Sequence, residues 1–180
     1  MDRMIALLRK AAGASAQVKR DADGAVVSRG EVAVNAAPEE VYRLLDPSRS
    51  GNRWARRGDR IAAVDATNGL YRLFDCRMPD EPFLIQVNEA RPFASISTTT
   101  LGDGGAPIGA IARSMSRYEI APAPQGCVVT LVERSIFLDG LSARDVARHA
   151  SMIGKGVEMD LVRLKSEAED ADIARAASRA

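Results

Sequence analysis

Between Val32 and Leu45 the hydrophobic period of this chain changes, and few folds accommodate the change as it is written here. Val32 and Val34 alternate as one face of a strand. Pro38 then stands where its fixed φ and missing N–H suit the first turn of a helix. Glu39 and Glu40 put negative charge at the positive end of the helix dipole, and Val41, Leu44 and Leu45 share one helical face before Asp46-Pro47 stops the element. A strand over 25–35 thus runs directly into a short amphipathic helix over 38–45, and a second short helix is predicted over 52–57.

From Asp59 onward, turn signals recur at the spacing of an antiparallel meander. Thr67-Asn68-Gly69 divides strands near 60–66 and 70–77, with Asn-Gly as a hairpin signal. Phe83, Ile85 and Val87 alternate on the next strand, Arg91-Pro92 turns, and 93–101 forms a strand rich in Ser and Thr. After the loop Gly102-Asp103-Gly104-Gly105, strands over 109–120 and 127–138 form a long hairpin through Pro122, Pro124 and Gly126. Past Asp139-Gly140 the period becomes helical. Ser142 is the candidate N-cap with Asp145 completing a capping-box pattern, and Val146, Ala150, Ile153, Val157, Leu161, Leu164 and Ala168 keep one stripe. The acidic run from Glu167 to Asp172 opposes the dipole near the C-terminal end, so fraying is expected after about Glu169.

This order of elements, with the phrases Ala37-Pro38-Glu39-Glu40-Val41, Ser116-Arg117-Tyr118-Glu119-Ile120 and Leu161-Val162-Arg163-Leu164-Lys165, resembles the SRPBCC superfamily of START-like and Bet v 1-like domains, which includes polyketide cyclases/dehydrases and lipid carriers. The resemblance covers about Val26 to Glu169 and implies one such domain over 25–172. It implies an α+β helix-grip fold: a curved antiparallel sheet of six to seven strands wrapped around a long C-terminal helix, with two short helices after the first strand. Residues 1–24 then form a leader, either a short helix through Met4, Leu7 and Leu8 or a flexible segment, and 173–180 a frayed tail.

With 180 residues, 46% hydrophobic and 27% charged, the chain suits one soluble domain, and a net charge of +1 with 4% aromatic residues supplies neither the field nor the stacking rings of a nucleic-acid binder. Cys76 and Cys127 form no Cys-x-x-Cys pair, and with one histidine they give no zinc-ligand spacing; no metal and no cofactor are expected. Met4 to Leu8 is too short for the apolar core of a secretory signal, which favours a cytoplasmic location.

Small residues mark the predicted interior. Ala110, Ala112, Ser114, Ser116, Tyr118 and Ile120 share one strand face, and Gly154 and Gly156 thin the closing helix, so either a cavity lies between them or the glycines let helix and sheet approach. Within the fold implied by the resemblance, the cavity-lining candidates are Trp54, Phe74, Ser114, Ser116, Tyr118, Glu133, His149, Ile153 and Val157. Parity does not decide whether Glu133 or Arg134 faces inward, because Val129, Leu131 and Phe137 accompany one, and Val128, Val132 and Ile136 the other. His149 has the chemistry of a general base or pH switch, yet a border residue with one ring face packed is the plainer reading. Arg49, Arg53, Arg56, Arg57 and Arg60 around Trp54 form a basic stripe that either meets an anionic surface or is simply solvated.

No catalytic signature is present. The readings are a monomer or homodimer that binds or carries a small hydrophobic or amphipathic molecule; a cyclase- or dehydratase-like enzyme using Ser114, Ser116, Tyr118 and His149; or a protein-interaction module with a collapsed cavity.

Overall fold

In the computed structural model, which describes residues 13–48, 59–75 and 80–177, eight strands form one antiparallel sheet gripped against one long helix. In chain order the elements are β1 (Ser15–Arg20), β2 (Val26–Val34), α1 (Pro38–Leu45), β3 (Arg60–Asp65), β4 (Leu70–Phe74), β5 (Phe83–Arg91), β6 (Ser95–Gly102), β7 (Ile111–Ala123), β8 (Gly126–Phe137) and α2 (Ala143–Ala177). Their order in space is β1-β2-β8-β7-β6-β5-β4-β3. The α+β helix grip is as expected, with one strand more than the six to seven anticipated.

The additional strand corrects the reading of the leader. Residues 15–20 are neither helical nor flexible; they pair with β2, with Ser15 opposite Glu31 and Arg20 opposite Val26. The reversal at Asp21–Gly24 is closed by the Asp21 N–H donating to the Ala25 carbonyl at 2.9 Å, with Gly24 at φ +84°. The 15–20 segment has little apolar alternation of its own, and α2 supplies what it lacks: Glu158 accepts a hydrogen bond from the Ala16 N–H at 3.2 Å, and Val18 packs beside Gly154.

α1 forms where its residues direct it. Pro38 occupies the first turn with Glu39 and Glu40, and Val41, Tyr42 and Leu45 are buried. Tyr42 meets Phe93 edge to face, with ring centroids 5.7 Å apart. Phe93 was expected to open a strand, but it sits in the β5–β6 turn at φ +65°, and β6 begins at Ser95. The second short helix predicted over 52–57 lies outside the described residues, as do Trp54, Arg49, Arg53, Arg56, Arg57 and Cys76. Cys127 is buried and unpaired, its thiol pushed upward by burial and by the charge of Glu39.

α2 begins as predicted: the Ser142 hydroxyl accepts from the Asp145 N–H at 3.1 Å and donates to the Asp145 carboxylate at 2.6 Å. Its stripe is buried except for the half-buried Ala150, with Val157, Leu161 and Ala168 fully inaccessible, each large apolar side chain contributing about 1.5–3 kcal/mol. The helical backbone continues past Glu169, through Ala177. The acidity that opposes the dipole has another use here. Burial pushes the Glu169 carboxyl up, but Lys165 Nζ at 2.5 Å and the Asn35 N–H at 2.8 Å pull it below its usual range and tie the helix to the end of β2.

These ties place α2 over β1, β2 and β8, off the centre of the sheet. At 100° per residue, Gly154, Glu158, Lys165 and Glu169 occupy one flank of the helix, and that flank meets β1 and β2. His149, Gly156 and Asp160 occupy the opposite flank, where a Cβ added to Gly156 would meet nothing within 4 Å. The inner faces of β7, β6 and β5 therefore form one wall of a cleft, and this flank of α2 forms the other.

Candidate cleft and its polar floor

The registers decide which side chains face inward. Across β2, β8, β7 and β6 runs the row Ser28, Glu133, Ser116, Thr98; beside it runs Val26, Ser135, Ser114, Thr100, continuing to Ile85 and Tyr71. The next row, Gly30, Leu131, Tyr118, Ile96, is largely apolar. Two polar rows thus lie on the inner face of the sheet, where a conventional core would be apolar.

Glu133 points inward and Arg134 outward, which resolves the parity. Arg134 pairs with Asp23 and lies 3.8 Å from Asp21, in the β1–β2 turn. Glu133 Oε1 accepts from Ser114 Oγ at 3.1 Å and from Ser135 Oγ at 3.3 Å. Burial pushes this carboxyl upward, and the charge of Asp160 adds to the push, while the two serine hydroxyls oppose it. Tyr118 is likewise held well above its ordinary range, first by burial and then by Asp160 and Glu133, so its hydroxyl stays protonated. Asp160 pairs with Arg163 at 2.7 Å. Ser28 Oγ and Thr98 Oγ1 are buried and make no hydrogen bond among the described residues.

A cavity of about 560 Å³ opens at the end of the cleft where β5 begins and β6 ends. Pro82, Phe83, Ile108, Ala110, Ile111 and His149 line it, with the exposed acids Asp80, Glu81 and Asp103 along its border. Its volume falls within the range of sites that hold small organic ligands. His149 also packs its ring on Phe137, with centroids 5.8 Å apart.

The predicted residues therefore separate into groups. His149 lines the cavity, and Ser114, Ser116, Tyr118 and Glu133 share the polar floor farther along the sheet. Ile153 and Val157 belong to packed core: Ile153 with Val26 and Val146, Val157 with Val32 and Leu161. Phe74 falls on the opposite face of β4 from Tyr71, its ring 4.8 Å beneath the Arg60 guanidinium; the inward phenylalanine is Phe83, and the alternation Phe83, Ile85, Val87 carried that signal. Ala112 does not share the inward parity either. A bulge between Ile111 and Arg113 slips the register and turns Ile111 inside instead. Gly154 abuts Val18 and Ser28, so it serves close packing, whereas Gly156 faces open space.

No protein-family model matches the sequence, and no curated protein is similar to it. Solved structures are similar in fold. A conserved protein of unknown function from Enterococcus faecalis superposes with a TM-score of 0.61 at 15% identity, over 94% of this chain and 85% of its own. The di-domain ARO/CYC StfQ from the steffimycin biosynthetic pathway gives 0.60 at 14% identity over 82% of this chain and 51% of its own. Ara h 8.0201 gives 0.54 at 11% identity over 77% and 96%. The architecture these structures share with this chain is the helix grip, an antiparallel sheet wrapped on a long C-terminal helix. Among the described residues no helix is long and apolar enough to cross a membrane.

Proposed function

We propose that this protein binds a small hydrophobic or amphipathic molecule in the cleft between its sheet and α2. The observation that carries this reading is the cavity of about 560 Å³ walled by Phe83, Ile108, Ile111 and His149. A space of that size beside apolar side chains is the usual form of a ligand site, and it disfavours an interaction module with a collapsed interior. The test is uptake of the neutral fluorophore N-phenyl-1-naphthylamine. The wild type binds it saturably, and Ala110→Trp, which places an indole at the cavity wall, abolishes uptake while the thermal transition is retained. Absence of saturable uptake by the folded wild type refutes the reading.

A second reading is an enzyme of the cyclase or dehydratase kind, and one observation favours it. Tyr118 and Glu133 are both pushed up by burial, which brings two groups suited to proton transfer together on the floor of the cleft. Turnover of an added polyketide-like substrate, lost in Tyr118→Phe with folding intact, would favour this reading over carriage.

A further inference from the structure

The polar floor is only partly satisfied among the described residues. Glu133 spends one carboxylate oxygen, Oε1, on both Ser114 and Ser135, and Oε2 has no hydrogen-bond partner among the described residues. The Tyr118 hydroxyl has none there either. Both side chains are only partly buried, so they remain reachable from the cleft. Tyr118 stands two residues along β7 from Ser116, which lies directly opposite Glu133, and long side chains at such diagonal positions reach one another's surroundings. Independently, Thr98 is 2% exposed, and its Oγ1, in the same row as Ser116 and Glu133, is unpartnered. A buried hydroxyl without a partner costs on the order of 1–3 kcal/mol, so this row is expected to be completed by something that is not protein.

The helix wall carries the same geometry. His149, at the cavity, and Gly156, facing open space, lie on one flank of α2; their seven-residue separation spans roughly 10 Å at 1.5 Å per residue. The open flank of α2 therefore continues about two turns beyond the cavity.

We propose that Glu133 and Tyr118 form the polar end of this cleft and select elongated apolar ligands that end in an alcohol or phenol hydroxyl. This rests on the binding reading above. The ligand hydroxyl donates to Glu133 Oε2 and accepts from the Tyr118 hydroxyl, while its apolar body extends toward Ile111 and Phe83. Burial disfavours the ionised carboxylate, and Asp160 already has Arg163 as counter-ion, so the subsite suits a neutral hydroxyl better than a cation.

The test is displacement of N-phenyl-1-naphthylamine by 1-decanol, decyl methyl ether, 2-decanone and decylamine. The wild type is expected to bind the alcohol about tenfold more tightly than the ether, the equivalent of one good hydrogen bond. Glu133→Gln, which puts an amide donor where the acceptor stood, removes that preference and raises affinity for the ketone and the ether, whose oxygens accept; Tyr118→Phe, which removes a donor to the ligand oxygen, weakens alcohol, ether and ketone alike and leaves the alcohol preference in place. Equal binding of alcohol and ether by the wild type, an alcohol preference unaltered in Glu133→Gln, or tighter binding of decylamine than decanol overturns the subsite and leaves the cavity reading intact. If no decyl compound displaces a probe that binds, the subsite fails; if the probe itself does not bind, the cavity reading fails first.

Discussion

Gly30 and Gly156 are both glycines inside regular elements, yet replacing each by alanine is expected to change stability in opposite directions. On β2, a Cβ at Gly30 would lie 2.7 Å from Leu161 Cδ1, 2.9 Å from Val157 Cγ1 and 3.1 Å from the Ser15 carbonyl oxygen. Leu161 and Val157 are both fully buried, so neither can swing into solvent. Overpacking of this kind costs about 1–3 kcal/mol, offset by about 0.5–1 kcal/mol from the lower conformational freedom of alanine in the unfolded chain. The net loss for Gly30→Ala is about 0–2.5 kcal/mol, centred near 1 kcal/mol, and each kcal/mol lowers Tm by roughly 2–4 °C at this chain length. At Gly156 nothing opposes the added methyl, and Gly156→Ala gains about 0.5–1 kcal/mol from helix propensity. Urea denaturation followed by circular dichroism measures both. In Gly30→Ala combined with Leu161→Ala, the new methyl occupies part of the space vacated, so the double variant is less destabilised than the sum of the singles by about 0.5–2 kcal/mol. A Gly30→Ala protein at least as stable as the wild type, or a Gly156→Ala protein as destabilised as Gly30→Ala, would show that α2 does not approach the sheet as described.

Three further outcomes follow from the same geometry. Gly126 sits at φ +114°, with an added Cβ only 2.2 Å from the Val34 carbonyl oxygen, so Gly126→Ala is expected to cost about 3 kcal/mol or more, read as a large downward shift in the urea midpoint. Ser142→Ala removes the acceptor of the Asp145 N–H and is expected to cost about 1 kcal/mol, with Ser142→Asp restoring most of it in the same assay. Because the folded pKa of Glu133 lies above its ordinary value of 4.5, its contribution is complete below that value, where both states are protonated. It is lost as pH rises through the folded pKa, since the unfolded chain ionises first. Glu133→Gln should therefore gain stability relative to the wild type between acid and neutral pH; a difference that is flat or falls over that range in thermal melts would contradict the buried placement of this carboxyl.

Local chemistry dictated the elements whose causes are short-range. Pro38 with Glu39 and Glu40 starts α1, Ser142 with Asp145 starts α2, and the spacing from Val146 to Ala168 names the buried stripe, because each depends on residues within a turn or two of one another. The alternation Phe83, Ile85, Val87 was equally legible, and Phe83 proved to be at the cavity. Where two faces were equally apolar, as at Glu133 and Arg134, periodicity carried no information. The choice was made by the register of β8 between β2 and β7, with Asp21 and Asp23 waiting for Arg134 on the outside. One inserted residue near Ile111 exchanged that side chain with Ala112, a slip that alternation cannot reveal because the bulge is a property of strand pairing. β1 and the C-terminal part of α2 depended on partners distant in the chain: the Ala16 N–H on Glu158, and Glu169 on the Asn35 N–H. A carboxylate unfavourable to its own helix dipole became an anchor once a backbone donor 134 residues earlier in the chain was folded against it, and no local pattern contains that distance.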